Sequence, residues 1–458
     1  MSNICQNFLL FFLIFWTNIS LTKNLPITIT FNIYQPKVDI SLTKEKIYES
    51  IEQNYLYSYF SIGNPQNKIP FLYTFNNSLL SINSDLNIKS LLKSTYIPSN
   101  SKSFKKLSDN KIQEEIEINE KIIKNFTFLY QNNIEKEQNL FGCIGLQNFY
   151  TQYKANNSYN QNFLYQLKNL GLIENISYNI YYKSEKEGYL YINTEPYNYS
   201  PKIFSNTKKH TTVVKELTSK EEKYLWNIDI NSLYYINNGN KIIINNGGNN
   251  VTALLDPQYG LIKGCLPYKD IIEKNILHNF IENNICSISE INEKIFYSCK
   301  SSSKKDIKEV FPTLYLYQSN FNYTFELNFY DLFYEKNDIL YFLICFDKNN
   351  KNNEWVLGKP FMKKYQFSFN VEKNEISFYE NLNILKLNEY NNDLYVKYLL
   401  PTKNLIMISL SMFIIFISFL CVFYCLKMNN KAPKKQRKQK IENGNKFLEL
   451  KESNVIIN

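Results

Sequence analysis

The chain has 458 residues, 44% hydrophobic and 16% aromatic, enough for a large core in two or three domains or in one bilobed unit. Its formal net charge of +10 is modest and much of the basic excess lies in the C-terminal tail, so nucleic acid is not an expected partner. Only two histidines occur, His210 and His278, which all but excludes a Ser-His or Cys-His triad and a His-rich metal site; carboxylate chemistry stays open because it needs no histidine, and no metal or cofactor is implied.

The chain opens on an apolar run, Phe8 to Trp16, of signal-peptide length, so residues 1–22 read as a leader. Ile27 to Tyr34 has the composition of a strand, and residues 23–54 read either as a short pro-segment or as the first strand and a helix of an N-terminal lobe. Tyr57 to Ile62 alternates aromatic or aliphatic with small polar residues, the period of a half-buried strand. Gly63-Asn64-Pro65-Gln66 makes a turn, and Phe71 to Phe75 a second strand ending at Asn76-Asn77-Ser78. Further strands are expected at Ile112–Ile118, Thr127–Tyr130, Tyr178–Tyr182, Tyr189–Ile192, Trp226–Ile230, Lys241–Asn245 and Ser368–Tyr379, with helices at Asn162–Leu170 and Pro267–Asn283. The expectation is a mainly β ectodomain.

Leu405 to Leu426 is an uncharged run of 22 residues, long enough to cross the hydrocarbon core of roughly 30 Å. Lys427, Lys431, Lys434, Lys435, Arg437, Lys438 and Lys440 follow it, which places the tail 427–458 in the cytosol and everything before the run outside it, a single-pass type I arrangement. Seven Asn-x-Ser/Thr acceptors, at Asn76, Asn125, Asn156, Asn175, Asn198, Asn250 and Asn322, are compatible with that route, although an asparagine-rich chain makes many by chance. Of eight cysteines, Cys5 lies in the leader and Cys421 and Cys425 in the apolar run; the remaining five predict two disulfides and one leftover thiol.

The run Ile62-Gly63-Asn64-Pro65-Gln66, then Phe71-Leu72-Tyr73-Thr74-Phe75, resembles the opening of a pepsin-like aspartic peptidase (eukaryotic aspartyl protease). The likeness continues in order from about Tyr55 to Glu380, through Phe141-Gly142-Cys143-Ile144-Gly145-Leu146, Gly188 to Ile192, Ala253-Leu254-Leu255-Asp256, and Trp355-Val356-Leu357-Gly358 with Phe361 and Tyr365. It implies a bilobed pepsin-like fold, with an N-terminal lobe over residues 23–205, a C-terminal lobe over 206–398, and a cleft between them that takes an extended peptide. It also implies a catalytic aspartate from each lobe, on a loop with a hydrophobic-hydrophobic-Gly segment beneath, here Cys143-Ile144-Gly145 and Val356-Leu357-Gly358.

Asp256 takes the second-lobe catalytic position, followed by Pro257-Gln258-Tyr259 in place of the family's Thr-Gly-Thr/Ser. The first-lobe position is occupied by Asn76, whose amide neither ionises nor takes a proton near neutral pH. Ser78, Phe104 and Gly260 fall at substrate-binding positions, and the flap position near Ser103 to Leu107 has neither the tyrosine nor the glycine of the family. Cys299 with Cys345 resembles the family's late disulfide; Cys265 with Cys286 is suggested by proximity alone, leaving Cys143 as a buried free thiol. The chemistry of the family needs two carboxylates sharing one proton, so the sequence points to a catalytically impaired, membrane-anchored relative with a peptide-binding cleft. The alternatives are an active endopeptidase of an acidic secretory or lysosomal compartment, with Asp85 or Asp109 as the second acid, and a structural surface glycoprotein.

Overall fold

The computed structural model describes residues 26–34, 43–75, 77–83, 98–131, 142–150, 161–214, 225–237, 239–244, 250–349 and 354–381. Asn76, Asp85, Asn156, Cys5, Cys421 and Cys425 lie outside them, as do the leader 1–22, the run 405–426 and the tail 427–458. Among the described residues no helix is long and apolar enough to cross a membrane.

The fold is mainly β, as the alternating stretches predict. In chain order the first strands are β1 (Ile27–Tyr34), β2 (Tyr55–Ile62), β3 (Asn67–Thr74), β4 (Leu80–Asn83), β5 (Lys105–Ser108), β6 (Lys111–Ile118), β7 (Lys121–Gln131), β8 (Gly142–Gly145), β9 (Ser177–Tyr182), β10 (Glu187–Ile192) and β11 (Phe204–Val213). They are followed by β12 (Asn227–Ile230), β13 (Ser232–Asn237), β14 (Asn240–Ile243), β15 (Val251–Leu255), β16 (Ile262–Gly264), β17 (Cys286–Ile291) and β18 (Lys294–Lys300). Last come β19 (Leu314–Gln318), β20 (Tyr323–Leu327), β21 (Phe333–Lys336), β22 (Ile339–Phe342), β23 (Ile344–Asp347), β24 (Trp355–Leu357), β25 (Ser368–Asn370) and β26 (Glu375–Asn381). A 13-stranded sheet holds β1 to β11 together with β25 and β26; β12 and β15 to β24, apart from β19 and β20, form a 9-stranded sheet; and β13, β14, β19 and β20 form a 4-stranded one.

Period-2 patterning sets the register. β2 alternates half-buried and buried along its whole length, with Leu56, Ser58, Phe60 and Ile62 inward. Gly63 opens the β2–β3 turn at φ 86°, a left-handed conformation that glycine adopts without steric cost. The helix expected at Asn162–Leu170 is present as Phe163–Asn169, capped by the Asn162 side chain, which accepts from the Tyr165 amide. Pro267–Asn283 is not one helix: a turn at Leu266–Ile271, a wider π turn at Ile272–Ile276 and a turn at His278–Glu282 follow one another. Residues 43–54 contain α1 (Lys44–Glu52), which buries Ile47, Tyr48 and Ile51. That face packs on Leu261, Phe296, Tyr341 and Cys345, a satellite of the main core.

The same four-strand pattern occurs twice. In the first, β3 runs parallel to β8, β8 antiparallel to β4, and β4 parallel to β7. In the second, β15 runs parallel to β24, β24 antiparallel to β16, and β16 parallel to β23. In each, the loop after the first strand passes over the end of the second, β8 or β24.

The cysteines pair differently from the expectation. The disulfide joins Cys286 to Cys299, and Cys265 and Cys345 are free and buried, as is Cys143. The reason is register: β17 and β18 form a hairpin in which Cys286 stands directly opposite Cys299. Cys345 lies on β23, where its sulfur sits 3.1 Å from the Tyr259 hydroxyl, and Cys265 caps the turn at Leu266–Ile271.

Candidate functional site

The two loops that follow β3 and β15 are built alike. Beneath the first, the Gly145 amide donates to Leu79 O at 2.9 Å, the Leu146 amide to Thr74 O at 2.7 Å and the Gln147 amide to Asn77 O at 3.1 Å. A Cβ on Gly145 would lie 2.4 Å from the Leu79 nitrogen, so only glycine fits under the loop. Beneath the second, the Asp256 amide donates to Leu357 O at 3.2 Å and the Lys359 amide to Tyr259 O at 2.7 Å. A Cβ on Gly358 would meet Leu261 O at 2.0 Å and Tyr259 O at 2.2 Å. Both hydrophobic-hydrophobic-Gly segments singled out in the sequence therefore do the same work.

Asp256 stands at the end of β15, half-buried. Its Oδ1 accepts from the Gln258 amide at 3.0 Å. Burial pushes its carboxyl from an ordinary 3.8 up to about 6, against the opposing pull of the Gln258 and Tyr259 amides. No second carboxylate figures among those causes within the described residues. The backbone beyond it is held from two sides. Pro257 O accepts from Asn54 Nδ2 at 2.8 Å and from the Tyr182 hydroxyl at 3.1 Å, and the Asn54 amide donates to Gln258 O at 3.2 Å. Burial, reinforced by the charge of Asp256, pushes the Tyr182 phenol far up, so it remains a neutral donor.

Gln258 was not singled out by sequence reasoning as functional, yet it ties the two loops together. Its Oε1 accepts from the Phe75 amide at 3.3 Å, directly before position 76. The signal was the chain's departure from Thr-Gly after Asp256: a side chain long enough to reach the other loop stands where glycine was expected.

Of the positions to which the resemblance gives substrate binding, two lie against neighbouring backbone and one on the main core. Gly260 is buried against α1: its amide donates to Glu52 O at 2.8 Å and a Cβ would lie 1.8 Å from Ile51 O. Ser78 is buried, and its carbonyl accepts from Asn162 Nδ2 at 2.5 Å. Phe104 is half-buried and packs on the main core. The hairpin in the flap position turns at Asp109–Asn110 between β5 and β6. Asp109 there is fully exposed and paired with Lys106 at 2.8 Å, and the Lys106 ammonium holds its carboxyl below the ordinary value. Among the described residues no group of His, Cys, Asp and Glu could hold a metal ion.

A mainly β chain with two equivalent loops, each seated on a glycine-ended strand and joined side by side, is the framework of a bilobal aspartic peptidase. Residues 87–381, more than half of the chain, match the eukaryotic aspartyl protease family, and the chain belongs to it. The match takes in Asp256 but begins after position 76 and after the Ile62–Gln66 turn. No curated protein matches the chain.

Proposed function

We propose that the chain is a catalytically impaired member of this family, anchored in a membrane by the run 405–426, with its ectodomain on the lumenal or extracellular side. Its cleft would hold an extended peptide by strand-like hydrogen bonds without cutting it. One observation carries the reading: Asp256 is the single acid of the two loops. Position 76 is asparagine, and among the described residues burial and two amides, not a partner carboxylate, set the proton affinity of Asp256. Without a second acid close by, no proton is shared and no ionised base stands beside a protonated acid.

A second reading, an active endopeptidase of an acidic compartment, is favoured by two observations: a glycine support lies beneath each loop, and burial raises the Asp256 carboxyl to about 6. The two readings part in one experiment. The ectodomain, its Asp256→Ala variant and its Asn76→Asp variant are incubated with denatured protein from about pH 3 to about pH 7. The proposal expects no cleavage by the parent chain, and acid-dependent cleavage only after Asn76→Asp. Cleavage by the parent chain that disappears in Asp256→Ala would establish the second reading. Absence of cleavage together with failure to retain any member of a displayed peptide library would leave a structural surface glycoprotein.

A further inference from the structure

We propose that Asn125, Asn175, Asn250 and Asn322 carry N-linked glycans, an inference that rests on the secretory part of the reading above. In that modification the side-chain nitrogen Nδ2 bonds to the anomeric carbon of an oligosaccharide, that carbon's bond to the diphosphate of a lipid-linked donor breaks, and the amide loses a proton. A folded acceptor must therefore leave Nδ2 uncommitted and reachable. Sequence alone does not decide this, because an asparagine-rich chain makes acceptor triplets by chance.

The structure separates the asparagines. All four are exposed, and none donates through Nδ2 among the described residues. Asn250 uses only its oxygen, which accepts from Asn231 Nδ2 at 3.0 Å. By contrast Asn54, Asn148, Asn162 and Asn179, none in an acceptor triplet, commit Nδ2 to protein oxygens. Asn125 and Asn322 lie at φ 64° and 49°, and backbone strain alone explains asparagine there, since it tolerates the left-handed region. Backbone strain does not explain Thr127 and Thr324 two residues on, whose hydroxyls take no hydrogen bond among the described residues. Asn198 is the poorer acceptor, because its Nδ2 lies 3.5 Å from the Thr194 hydroxyl.

The test uses the full chain with its own leader in a eukaryotic secretory cell line. Peptide-N-glycosidase digestion in heavy-oxygen water marks each occupied asparagine for mass spectrometry. The expected result is a mark at all four sites, a mobility shift on digestion, and loss of one rung in each of Thr127→Ala, Ser177→Ala, Thr252→Ala and Thr324→Ala. Thr127→Ala and Thr324→Ala leave the left-handed asparagines in place. Thr252→Ala also removes a 3.3 Å hydrogen bond to Asp229 Oδ1, so an unchanged circular dichroism spectrum of each secreted variant is required before a lost rung is read as a lost glycan. Unmarked asparagines at these sites overturn the proposal. Repeating the measurement with a foreign cleavable leader says why: marks regained mean that the chain's own route fails, and marks still absent mean that the sites do. Neither result touches the cleft, which is read by peptide retention and cleavage.

Discussion

Asp256 is the residue on which the chemistry turns, and its environment gives a pH dependence of definite sign. Its carboxyl in the fold sits at about 6 against an ordinary 3.8, so the fold favours the neutral acid. The contribution to stability is fully present below the ordinary value and is lost as pH rises through about 6. Asp256→Asn is neutral at every pH and keeps an oxygen for the Gln258 amide. It therefore stabilises the fold by on the order of 2 kcal/mol near neutral pH, and by almost nothing near pH 3, in paired denaturant titrations. An equal effect at both pH values would mean that the carboxyl is not perturbed. Gln258 gives the second residue-scale expectation. Removing its side chain leaves the Phe75 amide without its acceptor and costs about 1 kcal/mol, with faster hydrogen exchange at Phe75 in Gln258→Ala than in the parent chain. Unchanged exchange at Phe75 would mean that the loops are not tied there. The place of Asp256 at a strand end was legible in the sequence because it closes the hydrophobic run Ala253-Leu254-Leu255. The tie through Gln258 was not, since nothing local to Pro257-Gln258-Tyr259 tells which distant amide the side chain will meet.

At the scale of elements, tight turns in a chain with only 12 glycines are made by other residues. Asn119-Glu120, Asn292-Glu293 and Asn337-Asp338 all carry positive φ at both positions, and they join β6 to β7, β17 to β18 and β21 to β22. Such two-residue turns match the twist of the flanking strands but strain any residue with a Cβ, asparagine least. Exposed Glu120, at φ 64°, is therefore a place where Glu120→Gly raises stability, by about 0.5–1 kcal/mol after the entropy gained by the unfolded chain is discounted. A loss of stability in thermal unfolding would contradict this account of the turns. The opposite substitution is expected to fail under the Asp256 loop: the Cβ of Gly358→Ala meets two backbone oxygens, which cannot move aside as a side chain would. It costs about 3 kcal/mol or more, the upper end for overpacking, or prevents folding altogether, read as loss of soluble protein. The turns also explain what the sequence hid. The strands of β2 and β10 were legible from period-2 alternation, but the pairing of Cys286 with Cys299 depends on the register that Asn292-Glu293 imposes, and Asn-Glu is a weak hairpin signal beside Asn-Gly.

The described residues fall in one compact unit, in which the two four-strand patterns are not separable bodies. The order of motifs along the chain made the repeated framework legible, but not how the closing strands are shared. A division between residues 205 and 206 cuts β11 and leaves β25 and β26 on the C-terminal side, whereas all three stand in the sheet of the N-terminal strands, β25 pairing with β9 and β26 with β11. Side chains reinforce the sharing. The Trp226 ring nitrogen donates to Leu146 O at 3.0 Å, and Asn148 Nδ2 donates to Asn374 Oδ1 at 2.7 Å. Lys359, almost wholly buried, pairs with Glu185 at 2.9 Å; burial favours the neutral acid, but Lys359 and Lys363 outweigh it and hold Glu185 at about 2. Removing the C-terminal part would strip β9 of a neighbour, strand β11 without its partner and expose Tyr178, which stacks on Phe369 at 5.1 Å between ring centres. Residues 26–381 are therefore expected to unfold in one cooperative transition, with coincident loss of near- and far-ultraviolet circular dichroism. Residues 26–214 expressed alone are expected not to reach a folded state: no near-ultraviolet signal, no cooperative melt and unprotected amides in β9 and β11. A fragment that melted cooperatively with native protection in those two strands would mean that the N-terminal half carries its own core, and that the shared sheet joins two bodies already formed.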